Sequence, residues 1–213
     1  EQNTAYYIWQ TSTMHFRTLG LGLGLGKRLN WPDPNFTLYA EAQYRRYALK
    51  NWDYFIMKNG VANELSVKFS FGRSTIDQPI YSTRGSEFSF TTTFTPPYSL
   101  WDGVDYADQK LSDAQRYKWI EYHRWELKTR WFQALTRDSK LVLMAKAEMG
   151  YLGHYNKHKV SPFQRFEIGG DGMSGYTMYG VDIIGLRGYE DGALDPGNNY
   201  SVAYNKYTME LRY

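Results

Sequence analysis

Few residues in this 213-residue chain are spaced for bond chemistry. The four histidines are His15, His123, His154 and His158. His154 and His158 stand close together, but Lys157 and Lys159 lie between and beside them, and no further ligand follows at metal-site spacing. Glu190-Asp191-Gly192 with Asp195 is acidic enough to suggest calcium, yet no EF-type spacing follows, and a solvated loop tip accounts for it better. Gly172-Met-Ser-Gly175 lacks the spacing of a nucleophile elbow, and no paired carboxylates stand out. Gly169-Gly-Asp-Gly172 does not open a helix after a strand, as a dinucleotide site would. Cysteine is absent, which removes thiolate chemistry and disulfides. These patterns predict no enzyme, no cofactor and no metal site. What remains is Arg187, in Leu186-Arg187-Gly188-Tyr189. A cation among apolar residues, beside a glycine that permits tight backbone approach, is expected to be buried and to need a partner.

Arg187 lies in Ser161–Pro196, a glycine-rich stretch in which nothing alternates long enough to predict a strand. So long a stretch without regular structure is usually functional or disordered. Phe163, Phe166, Ile168, Met173, Tyr176, Met178, Tyr179, Ile183, Ile184 and Leu186 carry too much apolar surface for a solvated linker. The stretch is therefore expected to be a folded loop packed inside something.

The elements that must enclose it read as strands. Period-two alternation predicts seven, over Met14–Leu29, Phe36–Tyr47, Glu64–Phe71, Ser86–Thr95, Arg116–Thr136, Leu141–Tyr151 and Tyr204–Tyr213. In the first, Leu19, Leu21, Leu23 and Leu25 share one face and Gly20, Gly22, Gly24 and Gly26 the other, which suggests close approach of another backbone on the glycine side. In the fifth, Trp125, Leu127, Thr129 and Trp131 oppose Arg124, Glu126, Lys128 and Arg130. Four charges on one strand face are heavy for a soluble core but natural for a wet barrel lumen. In the last two strands, parity places Lys146, Glu148, Lys206, Glu210 and Arg212 on that same inner side.

Composition agrees with a membrane barrel. Aromatic residues make up 18% of the chain, with 20 Tyr, 11 Phe and 7 Trp. The mean hydropathy is nevertheless −0.61 and no run is long enough for a membrane helix. A soluble β-sandwich shares that average, so composition alone leaves the two even. The net charge of +3 is mixed in sign, with no isolated basic patch, which gives nucleic-acid binding no support. The connections alternate in length: short at 30–35, long at 48–63, short at 77–85, long at 96–115, short at 137–140 and very long at 152–203. Outer-membrane barrels join short periplasmic turns with longer extracellular loops, which puts the Arg187 loop on the extracellular side. Trp52, Tyr98, Trp101, Tyr117 and Trp119, near the long-loop ends, are expected to form the outer aromatic girdle. The chain opens in a polar-aromatic stretch, so an export segment is expected to have been removed or never to have been part of this sequence. Seven strands would leave two edges unpaired in lipid, so the sequence is expected to be part of a larger barrel.

Ile184-Gly-Leu-Arg-Gly-Tyr189 resembles the arginine–glycine–aromatic signature of the long sixth extracellular loop in the outer-membrane assembly and two-partner-secretion superfamily. The lead-in, Ser161-Pro162-Phe163 followed by Phe166 and Gly169-Gly170-Asp171, is similar to the run before that signature in the assembly branch. With its flanking strands the resemblance covers most of the chain. It implies an all-β fold: a partial transmembrane antiparallel β-barrel, about seven strands of sixteen, corresponding to the sixth through the twelfth. A long extracellular loop, about 152–203, would fold into the lumen. Residues 1–213 would then be part of one barrel domain, with periplasmic repeat domains and the remaining strands outside the sequence. The implied location is the outer membrane of a Gram-negative bacterium, crossed many times. The implied function is folding and inserting other β-barrels. Its partners would be outer-membrane lipids and lipopolysaccharide, unfolded β-barrel substrates and accessory lipoproteins. A two-partner-secretion pore, or the barrel of an outer-membrane lipase fusion, are the alternatives. Arg187 would sit in the lumen, paired with Glu210, with Glu148, or with an acid beyond residue 213.

Overall fold

The computed structural model describes residues 14–52, 57–108, 110–170, 182–190, 192–194 and 201–213. Strands β1 (His15–Arg28), β2 (Phe36–Lys50), β3 (Gly60–Ser74), β4 (Gly85–Phe94), β5 (His123–Ala134) and β6 (Val142–Gly153) follow one another. Two short strands, β7 (Phe166–Ile168) and β8 (Asp182–Ile184), come next, and β9 (Ala203–Arg212) closes the series. Seven strands form one antiparallel sheet in the order β1-β2-β3-β4-β5-β6-β9, and β7 and β8 pair in parallel as a small sheet of their own.

The faces of the large sheet are inverted relative to a soluble protein. Leu23 and Leu25 are each 84% exposed, Met209 74% and Tyr207 69%. On the opposite face Glu64, Ser66, Arg124 and Glu148 are buried. In water, apolar residues displayed along every second position would cost about 25 cal/mol per Å². A β-sandwich would cover them with a second layer, and among the described residues none lies there. The fold is instead an arc of transmembrane β-barrel wall, with hydrocarbon as the solvent of its outer face and a polar lumen inside. Successive connections alternate between the two ends of the wall, and the two longest, β4 to β5 and β6 to β9, lie at the same end.

Four sequence expectations change. The connection expected at 48–63 shortens to 51–59, since β2–β3 pairing continues to Leu49↔Gly60. The strand expected from Arg116 starts at His123. Asp113–Arg116 is one helical turn, fixed by a capping box between Ser112 and Gln115. The segment after it turns inward, burying Tyr117, Ile120 and Tyr122. Tyr117 therefore belongs to the core rather than the girdle, and Trp52 packs against Phe16 with ring centroids 5.7 Å apart. Trp101 is exposed at the long-loop end, where the rings of Tyr98 and Trp119 meet at a tilt with centroids 5.1 Å apart.

The fourth change concerns the glycine face of β1. It is exposed, and its nearest neighbours among the described residues belong to β2. Tyr39 lies across the strand, and a β-carbon at Gly24 would collide with its hydroxyl. At Gly22 a β-carbon would stand 3.1 Å from Glu41 Oε1. An aromatic ring laid over strand glycines restores the packing they lack.

Two apolar clusters close the arc from inside. The one at the long-loop end joins Tyr47 and Leu49 of β2, Ile120 and Tyr122, Leu152 of β6, Tyr204 of β9, and Phe163, Phe166 and Ile184 of the loop. The other, at the short-turn end, packs Ile76 against Phe132, Val142 and Met144.

Candidate functional site

The loop is tied to the wall at its lead-in. Ser161 Oγ accepts from Phe163 N (3.3 Å) and donates to Phe163 O (3.1 Å), forming a tight turn at Pro162. That turn delivers Phe163, which is fully buried and stacks on Tyr47 with ring centroids 4.5 Å apart. Gln164 follows with φ +66°, a left-handed conformation that costs a non-glycine residue about 1–3 kcal/mol. Its amide is held on both sides. The oxygen accepts from Arg124 Nη1 at 3.4 Å, and the nitrogen donates to Glu64 Oε2 at 3.4 Å. Glu64 also accepts from the hydroxyls of Tyr47 (2.9 Å) and Tyr122 (2.8 Å), so this buried carboxylate is satisfied by donors from three elements.

Arg124 is the other half of this clasp. Its guanidinium pairs with Asp182 of β8 at 2.5 Å and with Glu126 at 3.2 Å, and lies 4.5 Å from the ring centroid of Phe166. Phe166 in turn meets Tyr204 edge-on at 4.8 Å. One strand arginine thus holds both short strands of the loop, β7 through the ring face and β8 through the carboxylate.

The lead-in and the signature, far apart in sequence, are joined by backbone hydrogen bonds. Gly169 N donates to Ile184 O (3.1 Å), Gly170 N to Tyr189 O (2.9 Å) and Leu186 N to Gly170 O (2.9 Å). Gly169, at φ +147°, has no room for a side chain, because a β-carbon there would run into Glu190 O. Asp171 lies outside the described residues.

The four signature residues, Leu186 to Tyr189, run from half-buried Leu186 to exposed Arg187, Gly188 and Tyr189. Arg187 lines a cavity of about 560 Å³ on the lumen side, shared with Lys128, Arg130, Lys146, Glu148, Lys206, Glu210 and Arg212. It forms no ion pair with Glu210 or Glu148. Those carboxylates are already taken: Glu148 by Lys146 (2.8 Å) and Lys206 (3.4 Å), and Glu210 by Arg212 (2.9 Å). Lys206 also donates to Gly185 O, beside the signature. The cavity wall is therefore predominantly cationic, with Arg187 projecting into it.

A second tie joins the loop to the long β4–β5 connection. Lys159 and Glu121 form a fully buried pair at 3.6 Å. Lys159 donates to the Tyr106 hydroxyl at 3.0 Å, and Glu121 accepts from Ser99 N at 2.8 Å. Burial pulls the Lys159 ammonium below its usual range, and the Glu121 carboxylate opposes that shift.

Sequence reasoning missed the clasp. The charged inner face of β5 pointed toward Arg124 as lumen-facing, but nothing in sequence marked Gln164, Glu64 or Tyr122 as its neighbours. The histidines form no metal cluster among the described residues.

A lipid-exposed β-wall with a loop clasped to its polar interior defines a plugged outer-membrane β-barrel. The chain matches the Omp85 superfamily domain over residues 5–213 and belongs to that superfamily. Among solved structures it is similar to BamA from Haemophilus ducreyi lacking POTRA domains 1–3, with TM-score 0.66 and 17% sequence identity. The match covers 93% of this chain and 37% of that one. At this identity the likeness establishes the fold, and the chain spans little more than a third of that structure's length. Comparison with curated protein sequences gives no match.

Proposed function

We propose that residues 1–213 are part of the single barrel domain of an outer-membrane assembly protein, which folds β-barrel proteins and inserts them into the outer membrane. The observation that carries this reading is the joining of lead-in and signature by Gly169, Gly170, Leu186 and Tyr189. The lead-in is where the chain resembles the assembly branch, and it is built into the clasp. A loop fastened this way braces the barrel from within and leaves the work to a seam elsewhere in the wall. No bond chemistry is required. An edge strand at the seam templates incoming strands by β-augmentation, and the surrounding bilayer is thinned. The long loops face outward from the cell and the short turns face the periplasm. The partners in this reading are unfolded β-barrel substrates, outer-membrane lipids and lipopolysaccharide, and accessory lipoproteins. Arg187 completes the brace by pairing with a carboxylate outside the described residues.

The test is reconstitution of the full-length protein in liposomes with a urea-denatured small β-barrel as substrate. Folding is read as the shift in gel mobility between heated and unheated samples. Folding faster than in protein-free liposomes supports assembly. Folding at the protein-free rate, together with export of a partner encoded beside it, would replace this reading with a two-partner-secretion pore. An upstream domain carrying Gly-x-Ser-x-Gly in the full gene product would replace it with a lipase fusion.

A further inference from the structure

The outer face of the wall is uncharged along most of its long-loop end. There β3 presents Val61 and Asn63, β4 presents Thr92 and Phe94, β6 presents Met149 and Tyr151, and β9 presents Ala203 and Asn205. Strands β1 and β2 differ. Arg17 has the same parity as Leu19–Leu25 on β1, and Arg46 and Lys50 have the parity of Ala40 and Ala42 on β2, so all three point outward. The register sets them together. Arg17 lies opposite Ala48, and Arg46 and Lys50 are the residues two before and two after Ala48. Each is thus a diagonal neighbour of Arg17, at roughly 7–8 Å.

All three are exposed, and none has an ion pair or hydrogen bond with a described residue. The acidic residues of β1 to β3, Glu41 on β2 and Glu64 on β3, have the opposite parity and face the lumen. Directly below the cluster lies the apolar band of Leu19, Leu21, Leu23 and Leu25, and below that Lys27 on the same face. From Arg17 to Lys27 is ten residues, about 33 Å along the strand at about 3.3 Å each. At the usual barrel tilt this is about 25 Å of height, the thickness of a barrel's apolar band. The cluster therefore sits at the upper boundary of the hydrocarbon.

We propose that Arg17, Arg46 and Lys50 form a headgroup site for the phosphorylated glycolipid of the outer leaflet, whose acyl chains lie along Leu19–Leu25. Three neighbouring cations with no acid paired to them among the described residues call for a multiply charged anion. The unbroken apolar band beneath them calls for an amphiphile rather than a soluble phosphate. Placement in the outer leaflet rests on the orientation proposed above.

The test is binding of lipid A to the purified full-length protein in detergent, followed by native mass spectrometry or thermophoresis. The variant combines Arg17→Ser, Arg46→Ser and Lys50→Ser. Retained heat-modifiability of each sample establishes folding. The triple variant is expected to bind lipid A at least about ten-fold more weakly, and Lys27→Ser to bind as the parent does. Arg17→Lys with Arg46→Lys is expected to retain most of the affinity. Equal affinity in parent and triple variant overturns the site. Phosphatidylglycerol binding as tightly as lipid A, or lipid displaced by millimolar inorganic phosphate, overturns the assignment to the outer-leaflet glycolipid. Capture of an acidic protein in place of lipid would do the same. Because the readout is binding alone, failure of the insertion assay leaves this result untouched.

Discussion

Two arginines face the same lumen and meet opposite fates. Arg124, on β5, is 8% exposed and is held by Asp182, Glu126, Gln164 and the face of Phe166. Arg187, in the signature, is exposed in a cationic cavity with no acid of its own among the described residues. The sequence context suggested the reverse, since Arg187 stands among apolar residues and Arg124 on a strand of alternating charge. What decides between them is how many partners the register brings within reach. Arg124 is the clasp of this part of the wall, and Arg187 is a free valence on its inner side.

The contrast can be broken most directly by truncation. Arg124→Ala strips Asp182 and Gln164 of their shared donor, and removing one member of a buried ion pair costs about 3–5 kcal/mol. Asp182 keeps 29% side-chain exposure, so the lower end of that range is expected. Arg187→Ala breaks no bond to a described residue and removes only the proposed pair of an exposed guanidinium with the completing wall, so it is expected to cost about 1 kcal/mol or less. Urea unfolding of the full-length variants, followed by intrinsic fluorescence, measures both. A larger loss for Arg187→Ala than for Arg124→Ala would reverse the assignment of clasp and free valence.

A smaller effect sharpens what holds the clasp. Gln164→Ala loses two long hydrogen bonds and keeps the left-handed backbone, whereas Gln164→Gly loses the same bonds and relieves the strain. The glycine variant is expected to be more stable than the alanine variant by about 1 kcal/mol. Protease sensitivity of the loop, compared between the two variants, reads the difference. Equal sensitivity would mean that Gln164 acts through its side chain alone.

The smallest effect belongs to the far end of the wall, where the β3–β4 turn is knotted by Asp77. Its carboxylate accepts from Thr83 Oγ1 and from the backbone N–H groups of Gln78, Thr83 and Arg84, and these bonds, Thr83's side chain first, hold its pKa at about 2 rather than 3.8. Because the folded value lies below the unfolded one, the carboxylate's contribution is complete above pH 3.8 and fades as pH falls toward 2. Pepsin cleavage within 75–84 is therefore expected to rise over that interval. In Asp77→Asn the extra rise should vanish, while the lumen clasp remains resistant.

The faces of the wall were legible because a strand's period of two survives any error in its ends. Leu19–Leu25 and Trp125–Trp131 could be sided from sequence alone. The lead-in and signature were legible as types, and the structure joins them through backbone atoms that carry no sequence signal. Partner choice was not legible, because parity fixes a face and only register fixes a neighbour. Glu148 has the right parity for Arg187 but lies directly opposite Lys206 in the β6–β9 register. Glu210 shares its face with Arg212, two residues along the same strand. The glycine stripe was legible as a face, but its neighbour was not: Gly26 lies opposite Tyr39, and that ring reaches Gly24. Residues 117–122 carried the alternation of a strand but lie beneath the long loops, where tertiary burial overrides local pattern.

Gln164 and Glu64 are separated by 100 residues, and Arg124 and Asp182 by 58, whereas the wall is built almost entirely from neighbouring hairpins. Closing such long stretches of chain costs entropy that no local contact offsets. The hairpins therefore come together first, and the clasp is among the last contacts to form. On unfolding the order reverses, and the loop is set to release as a unit while the wall still stands. The lumen plug is in that sense a late and separable stage of the barrel's own maturation, with a clock of its own.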